Sequence, residues 1–289
     1  MSRRVTDPAV ARSDTGRVRE RNEDRWLARR YAGTVLLAVA DGVGGSSGGD
    51  IASGLTVETL AAAFAAPTFR ESTQSALADA IQRANDAVLR RSAELGHPQA
   101  ASTLVAAAIR GREACVANVG DSRAYLIRRG TSRQITTDHA GEPAGSITRF
   151  LGDARGVQPD IFVETLQPGD RLVLCSDGLT RHVSDAEIAA HASAADPARA
   201  ADALIGMANS RGGLDNVTVL IYPAGRRGTA RATIGTAILL ALLVVGVAGA
   251  LAAAIIGSSP GILPGAGPAP PIPATASAGP APSPAPSAP

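Results

Sequence analysis

The chain has 289 residues, with 28 basic and 26 acidic side chains, and its net charge of +2 gives no electrostatic reason to expect a nucleic-acid partner. Every basic residue is an arginine, which excludes a Walker-type phosphate-binding lysine and any lysine nucleophile. The two cysteines, Cys115 and Cys175, lie in apolar runs and are predicted to be core residues without a disulfide.

Residues 1–223 have the composition of a folded domain, and their first residues contain no apolar signal segment, so we expect this domain in the cytoplasm. Longer periodic segments predict helices at 49–65, at 72–95 and near 197–209, and Ser184 with Glu187 forms a capping box before another. Short apolar runs predict β-strands at 34–40, 103–109, 113–119, 123–128, 161–166, 170–176 and 216–222. Tight turns between strand pairs, and helices that come in pairs, favour an α+β fold with an antiparallel sandwich over a doubly wound sheet.

The segment VADGVGGSSGG, residues 39–49, places an aspartate at the end of a strand and surrounds it with glycines. Three interpretations are open: a phosphate cradle for a nucleotide, a metal site, or a simple turn. A dinucleotide-binding pattern that starts at Gly42 meets Ser47 where its third glycine belongs. The nucleotide interpretation is therefore not supported in detail.

Acidic residues recur at the ends of predicted strands, where the sheet fixes them and the solvent reaches them. Several carboxylates converging at one place repel one another unless cations neutralise them, and hard ions such as Mg²⁺ or Mn²⁺ prefer oxygen ligands. Zinc is disfavoured, because the four histidines show no ligand spacing and are expected at the surface. The acidic candidates are Glu23, Asp24, Asp41, Asp121, Asp177 and Asp215.

The C-terminal part of the sequence changes character. Residues 224–231 form a basic linker, and residues 232–256 are an uncharged run that predicts a transmembrane helix, with a buried core helix as the other interpretation. The arginines of the linker flank only the N-terminal side of this run, which predicts a cytoplasmic domain and an extracytoplasmic tail. The tail, 257–289, is rich in Pro and Ala and is predicted to be disordered.

Taken in order, the motifs resemble the metal-dependent serine/threonine phosphatases of the PP2C (PPM) family, in their bacterial branch. The resemblance covers about residues 14–223 and implies a central β-sandwich of two antiparallel sheets flanked by helices. It rests on GRVRERNEDRW (16–26), VADGVGG (39–45), ASTLVAAAI (101–109), NVGDSRAYLIRRG (118–130), ITTDH (135–139), ITRFLG (147–152), PGDRLVLCSDGLT (168–180) and GGLDNVTVLIY (212–222).

The resemblance implies a centre of two Mn²⁺ or Mg²⁺ ions, with a third ion beside it. Asp41 would bridge the two core ions together with the Gly42 carbonyl, and Asp177 and Asp215 would complete their ligands. Glu23 would act through a bound water, with Asp24 beside it. The third ion would be held by Asp121, with Asp177 in support, and Arg19 would bind the substrate phosphate.

This centre would generate hydroxide near neutral pH, and the hydroxide would attack phosphorus in line with the departing serine or threonine oxygen. Either a metal-bound water or His139 would protonate the leaving oxygen. One departure from the family is a flap reduced to seven residues, AGEPAGS (140–146), which is expected to open the site and to affect substrate selectivity and the third ion.

The function predicted from the sequence is a membrane-anchored protein Ser/Thr phosphatase that opposes membrane Ser/Thr kinases and acts on their phosphorylated targets. The alternative is a catalytically silent binding or scaffold module at the membrane. A silent relative is expected to lack a metal ligand, whereas Asp41, Asp177 and Asp215 are all present. A narrower version of the enzyme hypothesis is a sporulation-type phosphatase that acts on an anti-anti-sigma protein.

Overall fold

The structure, a computed structural model, describes residues 9–43, 48–66, 72–96, 100–143, 146–194 and 196–225. Its strands are β1 (Val10–Asp14), β2 (Arg25–Tyr31), β3 (Thr34–Ala40), β4 (Gly42–Val43), β5 (Ala101–Ser102), β6 (Leu104–Arg110), β7 (Glu113–Val119), β8 (Arg123–Arg128), β9 (Thr131–Gln134), β10 (Ala140–Gly141), β11 (Ser146–Ile147), β12 (Asp160–Thr165), β13 (Arg171–Cys175) and β14 (Val217–Pro223). Its helices are α1 (Gly48–Ala65), α2 (Thr73–Leu95), α3 (Asp177–Thr180), α4 (Asp185–Ala192) and α5 (Pro197–Ser210).

Two antiparallel five-stranded sheets form the centre of the fold, in the orders β1-β14-β13-β8-β9 and β12-β7-β6-β3-β2. Their facing sides enclose one apolar core, to which Leu37 and Val105 contribute from one sheet and Leu174 and Leu220 from the other. The strand β3, TVLLAVA, is buried at every position because both of its faces are covered. The predicted antiparallel sandwich is confirmed.

Helices cover the outer face of each sheet. The pair α1 and α2 packs on one sheet through residues such as Leu60 and Leu77, while α3, α4 and α5 pack on the other through Ile188 and Leu204. Local sequence explains the helix ends: Ser72 caps α2, Asp196 caps α5 before a proline, and the predicted capping box opens α4. The fold therefore has four layers, with helices outside two sheets.

The seven predicted strands agree with the structure to within one residue at each end. The strands β1, β2 and β9 were not predicted, because they are partly exposed and carry several charged or polar side chains. They pair at or next to the sheet edges, where burial imposes a weaker apolar pattern.

The described residues belong to a compact unit, Met1–Thr229, and a second unit, Ala230–Pro289, lies outside them. Within the described part of the chain, no helix is both long and apolar enough to cross a bilayer. The predicted transmembrane run at 232–256, most of the basic linker and the predicted disordered tail lie outside the described residues.

Candidate active site

Strand pairing brings the predicted acidic residues to one rim of the sandwich. Asp41 follows β3 at the end where Ala40 pairs with Arg25, so Glu23 and Asp24 lie beside it. In the other sheet, Cys175 pairs with both Arg123 and Val219, which places the loops before β8 and β14 next to the start of α3. Asp121, Asp177 and Asp215 occupy these three positions.

Threonine and serine hydroxyls hold the Asp41 backbone in place. The Asp41 N–H donates to Oγ1 of Thr103 at 3.1 Å, and its carbonyl accepts from the Thr103 N–H at 2.8 Å. The same Thr103 hydroxyl bonds to Ser122 at 2.8 Å, so Asp41 and the turn that carries Asp121 share one anchor. These bonds fix two of the predicted ligands relative to each other.

Gly42 is required by close packing and not by an unusual backbone angle. A Cβ at Gly42 would lie 2.2 Å from the Gly49 carbonyl oxygen and 2.8 Å from the carbonyl oxygen of Glu23. A Cβ at Gly49 would lie 2.9 Å from the Glu23 carboxyl group. The glycines at positions 42 and 49 therefore let the start of α1, the Asp41 loop and Glu23 approach one another.

Asn216 organises the other side of the rim. Its Oδ1 accepts from the Glu23 N–H at 2.8 Å, and its Nδ2 donates to the carbonyls of Thr15 and Arg21. A Cβ at Gly178 would lie 2.0 Å from the Asn216 carbonyl oxygen, so the glycine after Asp177 is also required by close packing. Asn216 therefore ties the Glu23 segment to the start of β14.

Burial and mutual repulsion raise the pKa of several of these carboxyls. The pKa of Asp41 is well above its usual value because of burial first, and then because of Asp24, Asp177, Asp215 and Asp121. Burial also raises the pKa of Asp24 and of Asp121 to about 6, with Asp177 adding to both, and the pKa of Glu23 rises for similar reasons. The rim is an acidic centre that needs positive charge.

The donor chemistry of this centre fits hard divalent cations. Asp24, Asp50, Asp121 and Asp177 each present a buried Oδ1 atom with no hydrogen-bond partner among the described residues. Within that same part of the chain, no three His, Cys, Asp or Glu side chains are already grouped as a metal-binding set.

Two guanidinium groups bond to carboxylates of this centre. Arg19 donates from Nη2 to Oδ2 of Asp215 at 2.9 Å. Arg181 donates from Nε to Oδ2 of Asp177 at 2.8 Å, and its Nη2 bonds to the same oxygen. The predicted phosphate-binding Arg19 thus lies at the acidic rim, and Arg181, which was not predicted, lies there as well.

His139 lies in the interior, so the expectation that it is a surface residue was wrong. Its Nδ1 accepts from the Gly120 N–H at 3.1 Å, and its Nε2 is 3.0 Å from Oδ2 of Asp160. Both ring nitrogens are therefore occupied in holding the turn before Asp121 against β12. His182 and His191 are partly exposed, and His97 lies outside the described residues.

Three further residues contribute to the rim without having been predicted. Asn216 bonds to Glu23, which is distant in the sequence, and Arg181 bonds to Asp177 across one helical turn. Asp50, in the first turn of α1, raises the pKa of Glu23. For Arg181 the sequence carried a usable signal, since an acid and a base four residues apart meet on a helix.

The clustered carboxylates at one rim of the sandwich suit divalent cations, and the two arginines beside them suit an anionic group such as phosphate. A model of the protein phosphatase 2C family matches residues 16–209. The chain is 37% identical over 237 residues to the serine/threonine phosphatase stp of Listeria innocua serovar 6a. The matched region spans 74% of this chain and 94% of that protein.

The chain is also 36% identical over 235 residues to the serine/threonine protein phosphatase PstP of Mycobacterium tuberculosis, covering 73% of this chain but 44% of that protein. The solved catalytic domain of PstP in complex with two manganese ions matches with a TM-score of 0.67 at 34% identity, over 74% of this chain and 96% of that domain. The chain belongs to the protein phosphatase 2C family and is a protein phosphatase.

Proposed function

We propose that this enzyme hydrolyses phosphoserine and phosphothreonine in proteins and that it depends on Mn²⁺ or Mg²⁺. The observation that carries the proposal is the acidic rim. Its buried carboxylate oxygens, which have no hydrogen-bond partner among the described residues, lie beside two guanidinium groups. The names of its relatives, and the two manganese ions of the PstP catalytic domain, support the same reaction and the same ions.

In this proposal, Asp41, Asp177 and Asp215 would hold two ions together with the Gly42 carbonyl, with Glu23 and Asp24 beside them. Asp121, with Asp177, would hold a further ion. The ions, when bound, supply the positive charge that makes hydroxide available from water near neutral pH. The chain itself fixes the geometry: Thr103 positions Asp41, and Asn216 positions the segment that carries Glu23.

Arg19 provides the substrate contact in this proposal. Its side chain is 52% exposed and its guanidinium reaches Asp215, so it can exchange a carboxylate partner for a phosphate at the same rim. A planar guanidinium binds two phosphate oxygens at once, which orients the phosphate for in-line displacement.

The test compares the full chain with Asp41→Asn on a phosphothreonine peptide in the presence of Mn²⁺. We expect kcat to fall by about 100-fold or more, because the substitution removes a charge from the centre of the cluster. The matched control is Asp202→Asn, an exposed aspartate paired with Arg12 away from the rim, which should keep full activity. Peptide binding without turnover by the unmodified chain would favour the silent binding module instead.

We also propose that the enzyme is anchored in the cell membrane by residues 232–256 and opposes membrane Ser/Thr kinases, with phosphorylated proteins as substrates. The support is the uncharged run itself and the arginines that precede it. An accessible cysteine provides a topology test, since Cys115 and Cys175 are both buried.

In that test, Ser283→Cys should react with an impermeant maleimide added to intact cells. Ser210→Cys, at an exposed position of the folded domain, should react only after lysis. The reverse pattern would overturn the orientation, and recovery of the whole chain in the soluble fraction would overturn the anchor.

A further inference from the structure

Arg181 is held at the acidic centre by the local helix. It follows α3, and its backbone N–H donates to the Asp177 carbonyl at 2.9 Å, so the two side chains lie on the same side of one helical turn. Two guanidinium nitrogens bond to Oδ2 of Asp177, and Nη1 is 3.9 Å from Oδ2 of Asp215. The helical turn places the two side chains together, and the bonds to Asp177 hold the positive charge there.

The guanidinium also lines a cleft of about 400 Å³ that includes both Asp121 and Asp177. Another arginine of this cleft, Arg123, is paired with Asp138 through its Nε and Nη2. Asp121 and Asp177 each keep one buried carboxylate oxygen without a hydrogen-bond partner among the described residues. Arg181 is therefore the arginine of this cleft that bonds to a predicted ligand of the further ion.

A cation that bound Asp121 and Asp177 together would meet this arginine directly. It would have to take Asp177 away from a charge-assisted pair of hydrogen bonds, or lie close to a group of like charge. The side chain of Arg181 is 44% exposed but bonded through two nitrogens to one oxygen, so moving it away breaks both bonds.

We propose that Arg181 acts as a built-in cation on the Asp121–Asp177 side of the centre and keeps the affinity for a further divalent ion low there. The two core ions would have Asp41, Asp215 and the Gly42 carbonyl as ligands besides Asp177, whereas the further ion would depend on Asp121 and Asp177. The position of the further ion would therefore lose most and would fill only at high ion concentration. This inference rests on the proposed metal-dependent function and concerns the same site.

The experiment measures Mn²⁺ binding to the full chain in detergent, by calorimetry and by the electron paramagnetic resonance signal of free Mn²⁺. In Arg181→Ala we expect the weakest site to bind Mn²⁺ about tenfold or more tightly than in the unmodified chain, because a like charge has been removed. Arg181→Lys, which keeps the charge, should remain close to the unmodified chain.

The matched control is Arg155→Ala, which removes the same charge from an arginine that pairs with Asp153 outside this cleft. It should leave all Mn²⁺ affinities unchanged. Thermal unfolding without metal identifies any misfolded variant. If Arg181→Ala is misfolded, Arg181→Gln is measured in its place.

Equal affinity of the weakest site in Arg181→Ala and the unmodified chain would overturn the inference alone. An equal gain in Arg155→Ala would also overturn it, since net charge would then be the cause. No Mn²⁺ binding by any of the folded proteins would overturn the proposed metal centre, and this inference with it.

Discussion

Arg19 presents a half-exposed guanidinium at the acidic rim, paired with Asp215. We expect Arg19→Ala to lower kcat/KM on a phosphothreonine peptide by about 10- to 100-fold, because a hydrogen bond to a charged group contributes about 1.5–3 kcal/mol. Steady-state kinetics at saturating Mn²⁺ measure this change. Arg91→Ala, which removes an exposed arginine of α2, is the control, and equal kinetics for the two variants would remove Arg19 from phosphate binding.

His139 positions the Asp121 turn and does not donate a proton in our account, since both of its ring nitrogens are engaged. We expect His139→Gln to lower the melting temperature while kcat stays within about tenfold and the shape of the pH–rate profile is kept. Removal of a general acid would instead lower kcat by about 10²–10⁴-fold and abolish one limb of the profile. His182→Gln, at a partly exposed position, is the control for both measurements.

The sequence identifies Asp41, Asp177 and Asp215, because a carboxylate directly after or before an apolar strand has a defined place at the end of that strand. It does not identify Asp50, which lies in the first turn of a helix. It does not identify Asn216 as the residue that holds Glu23, since that bond joins positions 193 residues apart. It also does not show that His139 is buried, because the polar sequence around it is typical of a surface loop. Both properties depend on the packing of distant segments.

The segment between β3 and α1 has no room for a side chain at Gly42. We expect Gly42→Ala to reduce the free energy of unfolding by about 2–3 kcal/mol, because its Cβ would collide with the carbonyl oxygen of Gly49 at 2.2 Å. Gly54→Ala lies inside α1, and its Cβ would have no atom of the described residues within 4 Å, so it should stabilise the protein by up to about 1 kcal/mol. Denaturant titration gives the free energy of unfolding of both variants. Equal changes in the two would show that close packing at Gly42 is not the cause.

The loop between β12 and β13 is held by a buried carboxylate, Asp170, which Arg128 binds through two nitrogens at 2.9 and 2.7 Å. Burial alone would raise the pKa of Asp170, but the bonds from Arg128 and from the Gln167 N–H lower it overall. The folded-state pKa is thus below the unfolded one, so this stabilisation is present above about pH 4 and is lost as the pH falls through the folded-state value.

We therefore expect Asp170→Asn to cost about 2–3 kcal/mol of unfolding free energy at pH 7, and progressively less below about pH 4. Denaturant titrations across this pH range provide the measurement. Asp202→Asn, at an exposed surface pair, should cost less than about 1 kcal/mol at every pH. A cost for Asp170→Asn that did not depend on pH would mean that its charge contributes nothing.

The predictable elements are those whose burial produces a continuous or periodic apolar pattern, such as β3 and α2. The edge strand β9, with the sequence TSRQ, has no such pattern and exists because β8 offers it hydrogen-bonding partners. The pairing of β9 with β8 is a tertiary interaction, so the local β-propensity of the β9 sequence cannot predict this strand.

At the scale of the whole molecule, the site exists because non-local pairing joins the two ends of the domain. Asp14 of β1 pairs with Val217 of β14, which brings the segment of Arg19 and Glu23 to Asp215. The motifs predicted which residues would meet, whereas the register that brings them together became visible only in the folded sheets. The predicted membrane anchor at 232–256 remains a prediction, which the topology test addresses.

The central claim is that the carboxylates at this rim work as a divalent-cation centre for phosphate hydrolysis. Its most direct test is phosphate release from a phosphothreonine peptide by the full chain in detergent, after treatment with EDTA and after addition of Mn²⁺. We predict no release in EDTA and full recovery with Mn²⁺, with Asp177→Asn inactive under both conditions. Release that persists in EDTA, or that Asp177→Asn retains, would contradict the account.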